Sequence, residues 1–148
     1  YFAALFDFLA DPANWKADAE AVPLLVGLKE RGHTLGVISN FDYRVYGILE
    51  GLGLGPYFDS MTISSEVGWA KPATEIFHAA LERHAIQPGE ALHVGDSEDT
   101  DLAGAQTAGI AAVLLDRKAP DRCSISGRSA RVTALSAVLD AADRITFT

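Results

Sequence analysis

Apolar positions along the 148-residue chain follow two alternating rhythms, one helical and one extended. In YFAALFDFLAD, Phe2, Leu5, Phe6 and Leu9 fall on one helical stripe, with Asp7 off it. A loop, PANWKADAE, follows. AVPLLVGLKERG predicts a helix, with Pro23 tolerable only in its first turn and Gly32 as its C-terminal stop. HTLGVISN is a continuous apolar run, which suits a strand covered on both faces. A helix over 43–52 puts Val45, Ile48, Leu49 and Leu52 on one side, and SMTIS reads as a second short strand. TEIFHAALERHA is the clearest helix, with Ile76, Phe77, Ala80, Leu81 and His84 in a stripe. ALHVGD predicts a third strand, 99–108 a helix closed by Gly109, and AAVLLD a fourth strand. Residues 117–130 read as a polar loop leading to a last helix near 133–142.

Strands that alternate with helices pair in parallel through right-handed crossovers. The pattern therefore predicts an α/β fold, a doubly wound three-layer Rossmann-like core around a parallel sheet. In such sheets the ligand crevice lies at the carboxyl ends of the strands, where the sequence places Ser39-Asn40, Asp96 and Asp116.

Composition narrows the function. At 15.7 kDa and 49% hydrophobic content the chain is sized for one domain with a real core. A net charge of −8 and a pI near 4.8 argue against nucleic acid or an anionic membrane as partner. The apolar runs are far short of a membrane span and no signal-peptide pattern opens the chain, so the expected location is cytoplasmic. The single Cys123 excludes an internal disulfide and a cysteine-based zinc site, and reads as a loop cysteine. The chain opens on Tyr1 and its only methionine is Met61, so Tyr1 is not expected to be a translation start.

The chemistry concentrates in HVGDSEDTDLAGAQTAGI, residues 93–110, where Asp96, Glu98, Asp99 and Asp101 crowd directly after an apolar run. Glu98 and Asp99 suit the positive end of the following helix, worth about 0.3–1 kcal/mol each. Asp96 and Asp101 stand at the crevice, where hard oxygen ligands suit Mg²⁺. An EF-hand loop is excluded, because Asp101 stands where glycine is required. Ser39 and Asn40 read as a turn or cap by themselves; beside a metal they gain a second use, holding phosphoryl oxygens. Lys71, in GWAKPATEIF, places a cation on the same rim. GLGLGP follows a helix rather than a strand, so it is a helix stop and not a dinucleotide loop. His33, His78, His84 and His93 lack metal-binding spacing, and His84 and His93 are expected to be packed or hydrogen-bonded. Trp15 and Trp69 are expected to pack, with Trp69 close enough to Lys71 to line a pocket.

Together VISNFD, GWAKP and HVGDSEDTD, in that order and spacing, resemble the second, third and fourth motifs of the haloacid dehalogenase superfamily of hydrolases. The resemblance covers roughly residues 17 to 142. It implies that Ser39 and Asn40 bind the transferring phosphoryl group and that Lys71 stabilises it and the nucleophile. It also implies that Asp96 ligates Mg²⁺ and that Asp101 supports that shell. The implied activity is Mg²⁺-dependent phosphatase action on a small phosphorylated metabolite through an aspartyl-phosphate. The alternatives are a catalytically inactive binding or assembly module and a metal-free 2-haloacid dehalogenase. The family's first motif, D-x-D-x-[TV], is not among these residues: the only D-x-D, Asp99-Thr100-Asp101, continues into Leu102-Ala103. The chain is therefore expected to lack the central nucleophile strand and most of the cap, and to be inactive alone. Residues 1–16 would be a remnant of the helical cap and 17–148 the core domain. Without that strand the sheet should break between the strands holding Ser39 and Asp96, leaving about two inter-strand spacings, near 10 Å. That gap would close, be filled by another chain, or vanish by direct pairing, and it offers a route to self-association.

Overall fold

The computed structural model of the chain describes residues 2–120 and 123–145. Its helices are α1 Phe2–Ala10, α2 Ala21–Glu30, α3 Arg44–Gly51, α4 Ser64–Val67, α5 Thr74–His84, α6 Ala103–Thr107 and α7 Ala137–Arg144. The strands are β1 Gly36–Ser39, β2 Ser60–Ile63, β3 Leu92–Gly95, β4 Ala111–Leu115, β5 Ser124–Ser126 and β6 Ser129–Val132. Between β3 and α6 the chain makes a π-helical turn, Glu98–Leu102, where the sequence predicts ordinary helix.

Strand–helix–strand units give the parallel pairs β1–β2 and β3–β4, and β4 also pairs in parallel with β6, with β5 rather than a helix between them in the chain. Strand β4 shows why three layers form. Ala111 and Val113 face a cluster with Leu24 of α2 and Val138 and Ala141 of α7. Ala112, between them, faces Ile76, Phe77 and Leu81 of α5 and Ala105 of α6. A strand apolar at every position is thus covered on both faces, as its continuous run requires. Ile76 and Phe77 are fully buried, contributing about 1.5–3 kcal/mol each by area removed from water.

One expectation is corrected. Residues 117–130 are not simply a loop: β5 and β6 form an antiparallel hairpin around Gly127-Arg128, and Ala130 and Val132 enter the core. On the α1 stripe Phe6 and Leu9 are half-buried and Leu5 is 56% exposed, while Phe8, off the stripe, is 55% exposed. What holds α1 down is Arg44, whose guanidinium lies 4.0 Å over the Phe6 ring and 4.9 Å from Phe41.

The expected break is present. The strands form a two-stranded sheet, β1–β2, and a four-stranded one, β3–β4–β6–β5, and β1 and β3 do not pair directly. Between their facing edges lies a largely apolar cavity of about 730 Å³, lined by Val37, Ile38, Leu92, Val94, Phe77 and Leu24 among others. No helix among the described residues is long and apolar enough to cross a membrane.

Candidate functional site

The site forms where β1 and β3 end. Asn40, just past β1, does not point freely at solvent. Its Oδ1 accepts from the Lys71 backbone N–H at 2.7 Å, and its Nδ2 donates to the Lys71 carbonyl at 2.8 Å. One amide side chain thereby grips one backbone residue on both sides, as a neighbouring strand would. The second Nδ2–H remains for a ligand. Ser39, beside it, is half-buried, and among the described residues its hydroxyl has no hydrogen-bond partner.

The Lys71 side chain runs to the other sheet. Its Nζ donates to Asp101 Oδ1 at 2.6 Å, with side-chain exposures of 13% and 6%. Asp101 arrives there through two local features. The π-helical turn uses Ser97 as its N-cap, with the Ser97 carbonyl accepting from Asp101 and Leu102. Gly95 leaves the space: a Cβ there would lie 2.2 Å from Asp101 Cγ. Gly104 acts likewise one helix on, where a Cβ would meet the Phe77 ring at 2.8 Å and Pro72 Cα at 3.0 Å. Close approach of α6 to the start of α5 brings Lys71 within reach of Asp101.

Asp101 is 4% exposed and collects three donors. Oδ1 takes Lys71 Nζ and His93 Nε2 at 2.8 Å, and Oδ2 takes the Ser97 N–H at 3.1 Å. Burial opposes its ionised form, but the hydrogen bonds from His93 and Lys71, together with the Lys71 charge, outweigh burial and hold the carboxyl well below the usual carboxylate range. A carboxylate so held only accepts, so His93 is the donor in that contact. His93, expected to be packed or hydrogen-bonded, is both: its ring stands edge-on to buried Phe77, centroids 5.1 Å apart. His84, likewise, meets Ser60 Oγ at 2.6 Å.

The remaining acids separate. Asp96 is exposed at the end of β3. Glu98 and Asp116 both pair with Arg131, at 3.4 and 2.6 Å, so Asp116 is tied to β6 rather than turned to the crevice centre. Trp69 is 52% exposed, so packing is not its role. Trp15 stands T-shaped to Phe41 and donates its Nε1 to the Leu9 carbonyl.

A metal ion would find hard oxygen donors of the right type here but too few of them. Asp96 offers an open carboxylate, Asp101 is occupied by three donors, and among the described residues no group of three His, Cys, Asp or Glu side chains is placed to hold a metal.

Helices on both faces of parallel strands, with Asn40, Lys71 and Asp101 joined at the strand ends, define a doubly wound α/β domain. Residues 1–109 match the family model of haloacid dehalogenase-like hydrolases, and the chain belongs to that family. It is 39% identical over 111 residues to haloacid dehalogenase-like hydrolase domain-containing protein 3 of Bos taurus, covering 75% of this chain and 44% of that protein. It is also 39% identical over 93 residues to the glyceraldehyde 3-phosphate phosphatase of Methanothermobacter thermautotrophicus, covering 62% of this chain and 41% of that enzyme. The HAD phosphatase from Thermococcus onnurineus superposes with a TM-score of 0.78 at 29% identity, covering 87% of this chain and 59% of that one. The chain spans less than half the length of these curated relatives.

Proposed function

We propose that this chain is the phosphoryl-binding part of a phosphatase acting on a small phosphorylated metabolite. The observation that carries the reading is Lys71, an ammonium fixed at the ends of both sheets by Asn40 and Asp101. An ammonium so held meets phosphoryl oxygens without reorganising, which is where preorganised charge lowers a barrier most. Ser39 donates its hydroxyl to a phosphoryl oxygen, and the free Asn40 amide N–H serves beside it. Asp96 alone is too few donors for Mg²⁺; together with carboxylates of the nucleophile strand it would hold the ion, which would neutralise phosphoryl charge. The nucleophile is a carboxylate from a D-x-D-x-[TV] strand outside these residues. It attacks phosphorus, the ester oxygen leaves with the alcohol, and water then hydrolyses the aspartyl-phosphate. The phosphatase named among the relatives supports this substrate class.

A second reading, a binding module, is favoured by the apolar cavity between β1 and β3, which suits an added strand. One assay separates the readings. Hydrolysis of p-nitrophenyl phosphate with Mg²⁺ is measured for this chain and for a chain that also carries the D-x-D-x-[TV] strand. Turnover by the longer chain alone supports the phosphatase; its failure there leaves the binding module. Chelator-resistant halide release from a 2-haloacid would instead identify a dehalogenase.

A further inference from the structure

We propose that His93 is a positioning residue for Lys71, acting through Asp101. The inference rests on the reading of Lys71 as the phosphoryl-stabilising cation, and it assigns the contact that keeps that cation in place.

Asp101 Oδ1 is shared: Lys71 Nζ lies at 2.6 Å and His93 Nε2 at 2.8 Å. The histidine can serve only from one direction, because Phe77 fixes the ring. That phenyl is fully buried, and the rings meet at 87° with centroids 5.1 Å apart. His93 sits on β3, the rigid element of the site, whereas Lys71 sits on the loop before α5 and Asp101 on the π-helical turn. The strand therefore sets the carboxylate and the carboxylate sets the ammonium. The Ser97 N–H fixes the other oxygen at 3.1 Å, so the plane of the carboxylate is held at both ends.

Lys71 has three N–H donors. Sharing Oδ1 with His93 divides the acceptor between two donors. It also keeps the carboxylate from rotating toward Lys71 and drawing the ammonium away from the strand ends. Without the Nε2–H, Asp101 retains its charge but loses its fixed angle, and Lys71 follows it. The contribution thus falls on the orientation of the cation rather than on whether a substrate binds. Removal should lower kcat and leave KM nearly unchanged, the signature of an interaction made in the transition state.

The test uses His93→Leu, which fills similar space without a donor, and His93→Gln, whose amide nitrogen can reach where Nε2 stands. Steady-state hydrolysis of p-nitrophenyl phosphate is measured in the chain that carries the D-x-D-x-[TV] strand. In parallel, the Lys71 ammonium ¹⁵N–¹H signal is recorded by NMR in the 148-residue chain. H93L should lower kcat about 10-fold or more, the usual scale for supporting contacts, while H93Q restores most of it. The Lys71 signal should persist in wild type and H93Q and broaden in H93L. Unchanged kcat in H93L overturns the inference, as does equal loss in both variants. If the longer wild-type chain is itself inactive, the phosphatase reading fails, and the NMR comparison still decides: an H93L signal identical to wild type overturns the role of His93, and selective broadening upholds it.

Discussion

Replacing Asp101 with asparagine keeps the side chain's shape and removes its charge, which isolates what the carboxylate does. The Lys71–Asp101 pair is 13% and 6% exposed, so screening by water is weak. Losing one partner of a buried pair costs about 3–5 kcal/mol, and Lys71 is at the low end because its stem can turn toward solvent. A second penalty compounds it. Both carboxylate oxygens accept, from Lys71 and His93 on one side and Ser97 N–H on the other. In either amide orientation the nitrogen that D101N introduces sets donor against donor, adding about 1 kcal/mol or more. A net loss of about 3–4 kcal/mol is a large share of the roughly 5–15 kcal/mol that holds a domain together. It corresponds to a melting temperature lower by about 6–16 °C for a chain this size. Urea unfolding of wild type, D101N, Lys71→Met and the double mutant completes the cycle. A coupling energy above about 1 kcal/mol is expected, and one within the additivity error of about 0.5 kcal/mol would refute the buried pair.

Three further outcomes follow from the same contacts. Because the native pKa of Asp101 is depressed, its stabilisation is complete above the unfolded value of about 3.9 and lost as pH falls toward the native one; urea midpoints from pH 7 to 3 should fall less steeply for D101N, and parallel curves would count against it. Gly95→Ala drives a methyl into Asp101, 2.2 Å from Cγ, so a loss of about 1–3 kcal/mol is expected in the same denaturation assay; a wild-type midpoint would show that the turn moves aside freely. Arg44→Ala removes the stacking on Phe6 and Phe41 and the donation to the Phe6 carbonyl at 3.2 Å. Amide exchange in α1 should accelerate by roughly 10-fold, an opening of about 1.4 kcal/mol, with the core unchanged; equal α1 rates by mass spectrometry would refute that role.

Strands β1 to β4 and the longer helices were legible because their signals are strong, apolar runs bounded by polar turns and 3.6-residue stripes such as Ile76, Phe77 and Leu81, whereas the four-residue α4 was not. The β5–β6 hairpin was not, because Ser, Gly and Arg dilute its alternation and only Ile125, Ala130 and Val132 carry apolar signal. For the candidate site the sequence offers residues, not the contacts that join Asn40, Lys71 and Asp101. Lys71, Asp96, Asp101, Ser39 and Asn40 stand out by type and position. That Asn40 grips the Lys71 backbone depends on side-chain direction, which spacing does not encode. His93 was readable only as packed or hydrogen-bonded, since its partner Asp101 lies eight residues on and returns through a π-helical turn.

The broken sheet and the site are one problem. Strands β1 and β3 belong to different sheets, and no ladder hydrogen bond joins them. What crosses between them at their carboxyl ends is Lys71, gripped through its backbone by Asn40 after β1 and through its ammonium by Asp101 after β3. The separation of the two sheet edges therefore sets how far the lysine must stretch, and any strand inserted between β1 and β3 would fix that separation with ladder hydrogen bonds. Seating a strand in the apolar cavity and sharpening the anion site are consequently coupled. Strand binding should order Lys71, and an anion on Lys71 should strengthen strand binding by the same factor.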